Sequence, residues 1–162
     1  MRRTDFVLPM GKNKDMPSFK EKNITVLSVI DEIGEDGSVE SGDRCEIRAV
    51  AYFGVSEGGY TLSYAEEGEG GRVDTLITVN TGNGNFVTVS RHGALESELR
   101  FGDGLVYNTL YSAPPYSFDM QVRTVKIRNE LTSDGGSLSI IYDMTVGGAK
   151  KHVRMKIGVE RG

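Results

Sequence analysis

Apolar and charged side chains alternate most regularly in the segment Leu95-Glu96-Ser97-Glu98-Leu99-Arg100-Phe101. Successive residues of a β-strand point to opposite faces, so the two leucines, the phenylalanine and the serine share one face and the charged residues share the other. This pattern predicts a strand that lays one face on the protein core. Its inner face would carry a single hydroxyl, that of Ser97.

Similar segments follow one another along most of the chain. Alternation recurs in segments 46–53, 60–66, 73–81, 86–91, 105–111 and 116–124, and in two later runs within 138–146 and 153–159. Clusters of Gly, Asp, Asn and Ser separate these segments, and such clusters are typical of hairpin turns. Short strands at regular spacing, without a long helix between them, indicate a β-sandwich or barrel. Near Thr124 the apolar positions slip by one residue to Val125 and Ile127, which predicts a β-bulge there.

The predicted fold is a single all-β domain, an antiparallel barrel of about eight to ten strands. A flat sheet of that size would leave exposed edges and accumulate strong twist, and curling into a barrel avoids both. Residues 23–162 would form the barrel. Residues 1–22 contain Pro9 and Pro17 and show no regular period, so they are predicted to be a flexible N-terminal extension.

Composition gives no sign of a membrane or nucleic-acid protein. The formal net charge is −4, which provides no general attraction to phosphate backbones or anionic lipids. No apolar run approaches the roughly 18 residues of a membrane span, and no secretory signal follows Met1. Cys45 is the only cysteine and cannot form an intramolecular disulfide, so a reducing compartment, the cytoplasm, is expected.

Three ordered stretches carry a family resemblance: Gly59-Tyr60-Thr61-Leu62-Ser63-Tyr64-Ala65-Glu66-Glu67, Arg91-His92-Gly93-Ala94-Leu95-Glu96-Ser97-Glu98-Leu99-Arg100-Phe101, and Tyr111-Ser112-Ala113-Pro114-Pro115-Tyr116. In this order they resemble the YwiB-like family of uncharacterised bacterial proteins, over roughly residues 24–160. The resemblance implies a calycin-like barrel of the lipocalin type. Where the family usually has an aromatic residue and glycine after its proline, this chain has Tyr116 and Ser117. Because the family has no assigned activity, the resemblance leaves the function open.

The usual signatures of catalysis and metal binding are missing from the sequence. The chain has two histidines, His92 and His152, and they do not occur at metal-ligand spacing with each other or with the cysteine. His92 is expected in a turn, and no Gly-x-Ser-x-Gly elbow accompanies any serine. No metal ligand, cofactor or catalytic residue is therefore predicted.

Several polar residues fall on predicted inner faces, and they form the candidate ligand site: Tyr64, Glu66, Arg91, Ser97, Tyr107, Thr109 and Tyr111. Buried charges need partners, so Glu66 and Arg91 are predicted to pair inside the barrel or at one mouth, with tyrosine hydroxyls completing their hydrogen bonds. Two interpretations remain open. The residues orient a small molecule in the lumen, or they fill the lumen as a structural plug.

Three function classes are consistent with the sequence. The first is a non-enzymatic barrel that binds a small molecule, which requires an open cavity of several hundred Å3. The second is a protein- or RNA-interaction module with a filled barrel, suggested by six basic residues near the N-terminus: Arg2, Arg3, Lys12, Lys14, Lys20 and Lys22. The third is an enzyme that uses Tyr, Arg and Glu in the cavity. Oligomeric state is left open.

Overall fold

The computed structural model describes residues 18–68, 70–82 and 84–162, and every regular element in that part of the chain is a β-strand. The ten strands are β1 (Ser18–Ile33), β2 (Val39–Ser56), β3 (Gly59–Gly68), β4 (Gly71–Asn80), β5 (Phe86–Gly93), β6 (Ser97–Gly102), β7 (Val106–Ala113), β8 (Tyr116–Thr132), β9 (Gly135–Val146) and β10 (Ala149–Val159). The all-β prediction is confirmed. The same residues include no helix long and apolar enough to cross a membrane.

All ten strands belong to one antiparallel sheet, in the order β6-β5-β4-β3-β2-β1-β10-β9-β8-β7. Chain neighbours are therefore sheet neighbours, except that β1 pairs with β10, and β6 and β7 lie at the two ends of the order. These end strands meet at a junction that we call the seam. There Glu96 and Ser112 exchange two backbone hydrogen bonds of 2.8 and 2.9 Å, so the sheet curls into a nearly closed barrel.

The two ends of the barrel differ. At the base, where β1 begins and β10 ends, Lys22 points inward and is only 5% exposed. Its Nζ donates hydrogen bonds to the carbonyl oxygens of Asp134 (3.2 Å) and Gly162 (3.4 Å). Large side chains fill the adjoining interior: Phe53, Leu62, Ile77, Phe101, Leu138 and Ile157. The other end, the mouth, is formed by the five hairpin turns that join β1 to β2, β3 to β4, β5 to β6, β7 to β8, and β9 to β10.

The start of the barrel differs from the prediction. β1 begins at Ser18, five residues before the expected boundary. The regular alternation of the strand starts early, since Lys22 already points inward. Lys20 and Lys22 are therefore strand residues and do not belong to a basic tail. The rest of the expected extension lies outside the described residues, with Arg2, Arg3, Lys12 and Lys14.

The predicted bulge is present in β8. Pairing with β9 shifts register between Thr124 and Lys126. Thr124 lies inward, and its Oγ1 accepts a hydrogen bond from the Gly102 amide at 3.2 Å, which ties β8 to the end of β6. The inward position expected for Val125 is wrong: this residue is the extra one of the bulge and is 47% exposed.

Candidate functional site

A cavity of about 320 Å3 lies inside the barrel at its mouth. Its walls are mainly apolar and are formed by Val26, Ile30, Ile47, Val73, Val89, Leu95, Leu99, Met144, Val153 and Met155. Polar side chains enter it at Ser28, Cys45, Glu66, Arg91 and Tyr142. Valine, serine and cysteine take several of the inward positions here, whereas two fully buried phenylalanines, Phe53 and Phe101, fill the interior near the base. The shorter side chains leave the mouth end unfilled.

A row of polar residues crosses one wall of this barrel. Tyr64 on β3 is directly opposite Thr75 on β4, Thr75 is opposite Arg91 on β5, and Arg91 is opposite Ser97 on β6. Directly opposite residues in neighbouring strands point to the same face, so all four side chains lie on the inner side. Tyr64, Arg91 and Ser97 were predicted as site residues, whereas Thr75 was not. Of the four, Arg91 lines the cavity.

Arg91 occupies the end of β5, just before a tight turn. Gly93 follows it with φ +132°, and a Cβ at this position would collide with the carbonyl oxygen of Arg72. Only glycine fits this backbone without strain. The turn therefore fixes where β5 stops and holds Arg91 at the level of the cavity. The Nε atom of Arg91 is buried and makes no hydrogen bond.

The predicted ion pair between Glu66 and Arg91 is not formed: among the described ion pairs within 4 Å, none joins these residues. Glu66 is opposite Val73, and Val73 is opposite Gly93, so Glu66 lies two strands from Arg91 and one inward-facing row nearer the mouth. Two strand spacings amount to about 10 Å. The two charges line the same cavity without neutralising each other directly.

Two buried phenols lie near Arg91. Burial raises the pKa of Tyr64, and the negative charge of Glu66 adds to that effect, while the positive charge of Arg91 opposes it. On β9, burial raises the pKa of Tyr142 to about 12, again against the opposing charge of Arg91. Both phenols therefore stay protonated at neutral pH, and Tyr142, which lines the cavity, can donate a hydrogen bond into it.

The remaining three predicted site residues lie on β7 and do not line the cavity. The Tyr107 hydroxyl donates a hydrogen bond to Glu98 Oε2 at 3.3 Å. The Arg100 guanidinium lies 5.3 Å from the centre of the Tyr107 ring. Tyr111 packs on the core and on the Phe118 ring at 6.5 Å. Their half-buried positions agree with the predicted alternation. However, β7 lies across the seam from β6, and the cavity lining includes β6 but not β7.

Thr109 borders a different depression, which we call the hairpin groove. This groove of about 740 Å3 is open to solvent beside the β7–β8 hairpin and is lined by Asn108, Thr109, Ser117, Phe118, Asp119, Met120, Gln121, Thr145, Gly147 and Gly148. It is larger than the lumen cavity, but its lining carries no lysine, arginine or histidine. The lumen cavity is the more enclosed of the two, so it is the better candidate for a small-molecule site.

Both histidines form hydrogen bonds outside the cavity. His92 Nδ1 lies 2.9 Å from Glu96 Oε1, and His152 Nδ1 lies 2.7 Å from Asp143 Oδ1 on the outer face of β9 and β10. Within the described ranges, no three His, Cys, Asp or Glu residues are arranged to hold a metal ion. The chemistry of the cavity therefore depends on the Arg, Tyr, Thr and Glu groups described above.

Comparison with known proteins agrees with this architecture. A family model described as a domain of unknown function, DUF1934, matches residues 24–157. The chain belongs to the DUF1934 family. A relative, the "Uncharacterized beta-barrel protein YwiB" of Bacillus subtilis (strain 168), is 31% identical over 144 residues, covering 88% of this chain and 97% of the relative. The resemblance to YwiB-like proteins predicted from the three sequence stretches is confirmed.

A solved structure extends the comparison to three dimensions. The crystal structure of the ywiB protein from Bacillus subtilis superposes with a TM-score of 0.73 at 30% sequence identity, covering 89% of this chain and 93% of the other. The barrel is thus shared with this relative in sequence and in fold. Since the family is described as one of unknown function, a functional assignment must come from the site.

Proposed function

We propose that this protein is a non-enzymatic barrel that binds a small, mainly apolar molecule in its mouth, in the manner of lipocalin-type barrels. The observation that carries the proposal is the 320 Å3 lumen cavity, with its apolar walls and few convergent polar groups. Pockets of roughly 300–1,000 Å3 with such linings are typical of small-molecule sites. The cavity is at the lower end of that range, which favours a compact ligand.

The structural-plug interpretation fits the cavity less well. A plug would fill the lumen and pair its charges, because an unpaired buried charge is costly. Here the mouth end is open, Glu66 and Arg91 are not joined, and the buried Nε of Arg91 has no partner. These features are expected of a site that a ligand completes.

The other two function classes receive less support. Lys20 and Lys22 belong to β1, and Lys22 is used in closing the base, so the basic stretch behind the RNA- or protein-binding alternative is shorter than expected. An enzyme would need an acid or base tuned toward neutral pH. Burial instead moves the pKa values of Tyr64 and Tyr142 further from neutrality.

We also propose a cytoplasmic location. The Cys45 thiol is free and exposed at the mouth, and an exposed thiol is more stable in a reducing compartment.

Native mass spectrometry of protein purified from its natural host tests the binding proposal. A reproducible mass excess that disappears on unfolding is expected. The Val73→Phe variant places a larger side chain in the cavity wall and should lose the excess. Val106→Phe, at an exposed position of β7, is the matched control and should keep it. A mass excess shared equally by both variants, or a clean apo mass in the wild type, would contradict the proposal.

A further inference from the structure

Arg91 is the one cationic residue that lines the lumen cavity, and its guanidinium has five N–H donors and no acceptor. Its buried Nε has no partner, and neither does the buried Oγ1 of Thr75 on the opposite strand. The Tyr64 hydroxyl is within hydrogen-bonding reach of the Thr75 and Arg91 side chains, and the Tyr142 phenol lines the cavity. None of the described ion pairs involves Arg91, so its guanidinium lacks an anionic acceptor in the wall.

Acidic side chains do not supply that acceptor. Glu66 is the one carboxylate among the residues lining the cavity, and it lies one inward-facing row nearer the mouth. Among the described ion pairs it has none. A guanidinium in apolar surroundings attracts a carboxylate or phosphate strongly, because charge-assisted hydrogen bonds are shorter and stronger than neutral ones.

The rest of the cavity is arranged for an apolar body. Arg91 lies on β5, whereas the facing wall comes largely from β1, β2 and β10 and contributes Val26, Ile30, Ile47, Val153 and Met155. A ligand lying across the lumen would place one end on Arg91 and the other against this apolar wall. At about 30 Å3 per water-sized group, the 320 Å3 volume holds roughly ten such groups.

We infer that the ligand is a compact amphipathic monoanion, a carboxylate with a short apolar body, whose head binds the Arg91 guanidinium. This inference rests on the proposed lumen-binding function and names the ligand class. Only one guanidinium lines the cavity, so a single negative charge can be matched. The nearby Glu66 carboxylate would repel a second one.

Calorimetric titration of the full-length protein with three probes tests the ligand class. Octanoate matches the cavity in size, 1-octanol has the same body without the charge, and octyl phosphate carries a second charge. Octanoate should bind at least about 10-fold tighter than octanol, the factor expected when a charge-assisted hydrogen bond is lost. Octyl phosphate should bind more weakly than octanoate, and Glu66→Gln should reduce that difference while strengthening octanoate binding several-fold.

The Arg91→Met variant separates the head-group claim from the cavity claim. It should lose the preference for octanoate while octanol binding stays unchanged, and Arg91→Lys should retain an intermediate preference; far-ultraviolet circular dichroism checks that both fold. Equal binding of octanoate and octanol by the wild type would overturn the anion inference and leave the lumen-binding function standing. Binding of neither probe would contradict both. Tighter binding of octyl phosphate would replace the carboxylate by a phosphate head.

Discussion

Thr75 of β4 and Arg91 of β5 lie directly opposite each other, and each has a buried polar atom, Oγ1 and Nε respectively, without a hydrogen-bond partner. Each unsatisfied buried group costs about 1–3 kcal/mol of folding free energy. With two such atoms in neighbouring strands, the barrel has a lower free energy of unfolding than it would have if both atoms were hydrogen-bonded. Such a loss is common where a site is kept ready for a ligand.

Replacing Arg91 by methionine should distinguish a ligand site from a plug through the sign of the stability change. In the absence of ligand, Arg91→Met removes an unpaired charge and should raise the free energy of unfolding by up to about 2 kcal/mol. A plug held by an ion pair would instead lose about 3–5 kcal/mol. Urea denaturation of the ligand-free protein provides the measurement, and a large destabilisation would favour the plug.

The two buried threonines should respond in opposite directions to substitution by valine. Thr75 is 2% exposed and its hydroxyl has no partner, so Thr75→Val should stabilise the apo protein by about 1 kcal/mol. Thr124 is 3% exposed but accepts a hydrogen bond from the Gly102 amide, so Thr124→Val should destabilise it by about 1–3 kcal/mol. Thermal or urea unfolding of the pair gives the comparison. Destabilisation by Thr75→Val would show that its hydroxyl is satisfied.

Alternation along each strand was enough to predict which residues face inward, but not how far along the barrel each one lies. Only the pairing between strands shows that Phe53 and Leu62 fill the interior while Arg91 reaches the cavity. The Glu66–Arg91 pair failed for that reason. Strand register depends on hairpin turns such as the one at Gly93 and on contacts across the barrel, which sequence spacing does not determine.

Other parts of the site followed from the sequence only in outline. The alternation within 138–146 predicts a strand with one inward face, yet nothing in a single strand indicates that Tyr142 and Met144 of β9 lie in the same cavity as Arg91. The shift near Thr124 did predict the bulge, because an extra residue changes the alternation itself. Tyr107, Thr109 and Tyr111 do not line the cavity, and this was not predicted because the position of the seam cannot be read from local pattern.

The phenol of Tyr142 should contribute to unfolding at alkaline pH. Its pKa is raised by burial from 10.0 to about 12 in the folded protein, so the folded state keeps the proton where the unfolded state loses it. The protonated phenol therefore leaves the free energy of unfolding undiminished below pH 10. As pH rises from 10 toward 12, that free energy falls by up to about 3 kcal/mol. Tyr142→Phe should therefore lose less stability than the wild type between pH 9 and 12.

Tyr116→Phe is the matched control for this titration, since the Tyr116 ring is mostly exposed. Its stability should follow the wild-type curve at every pH. Chemical denaturation at fixed pH steps gives the profiles, and a Tyr142→Phe profile identical to the wild type would contradict the prediction.

The seam should loosen in acid. The Glu96 carboxylate forms hydrogen bonds with the Gly93 amide and the His92 ring, and these lower its pKa from 4.5. The stability that these hydrogen bonds contribute is therefore fully present above pH 4.5 and is lost as the pH falls through the lowered pKa. Hydrogen exchange, expressed as protection factors, should show the Glu96 and Ser112 amides losing protection in that range. Glu96→Gln cannot titrate and should show a weaker pH dependence; equal dependence in both proteins would exclude Glu96 as the cause.

The most direct test of lumen binding uses the methionine methyl groups, labelled with 13C and observed by NMR in the full-length protein. Met144 and Met155 line the lumen cavity, whereas Met120 borders the hairpin groove. Titration with octanoate, and separately with octanol, should shift the Met144 and Met155 signals and leave Met120 in place. Shifts of Met120 alone, or of none of the three, would contradict a ligand site inside the barrel.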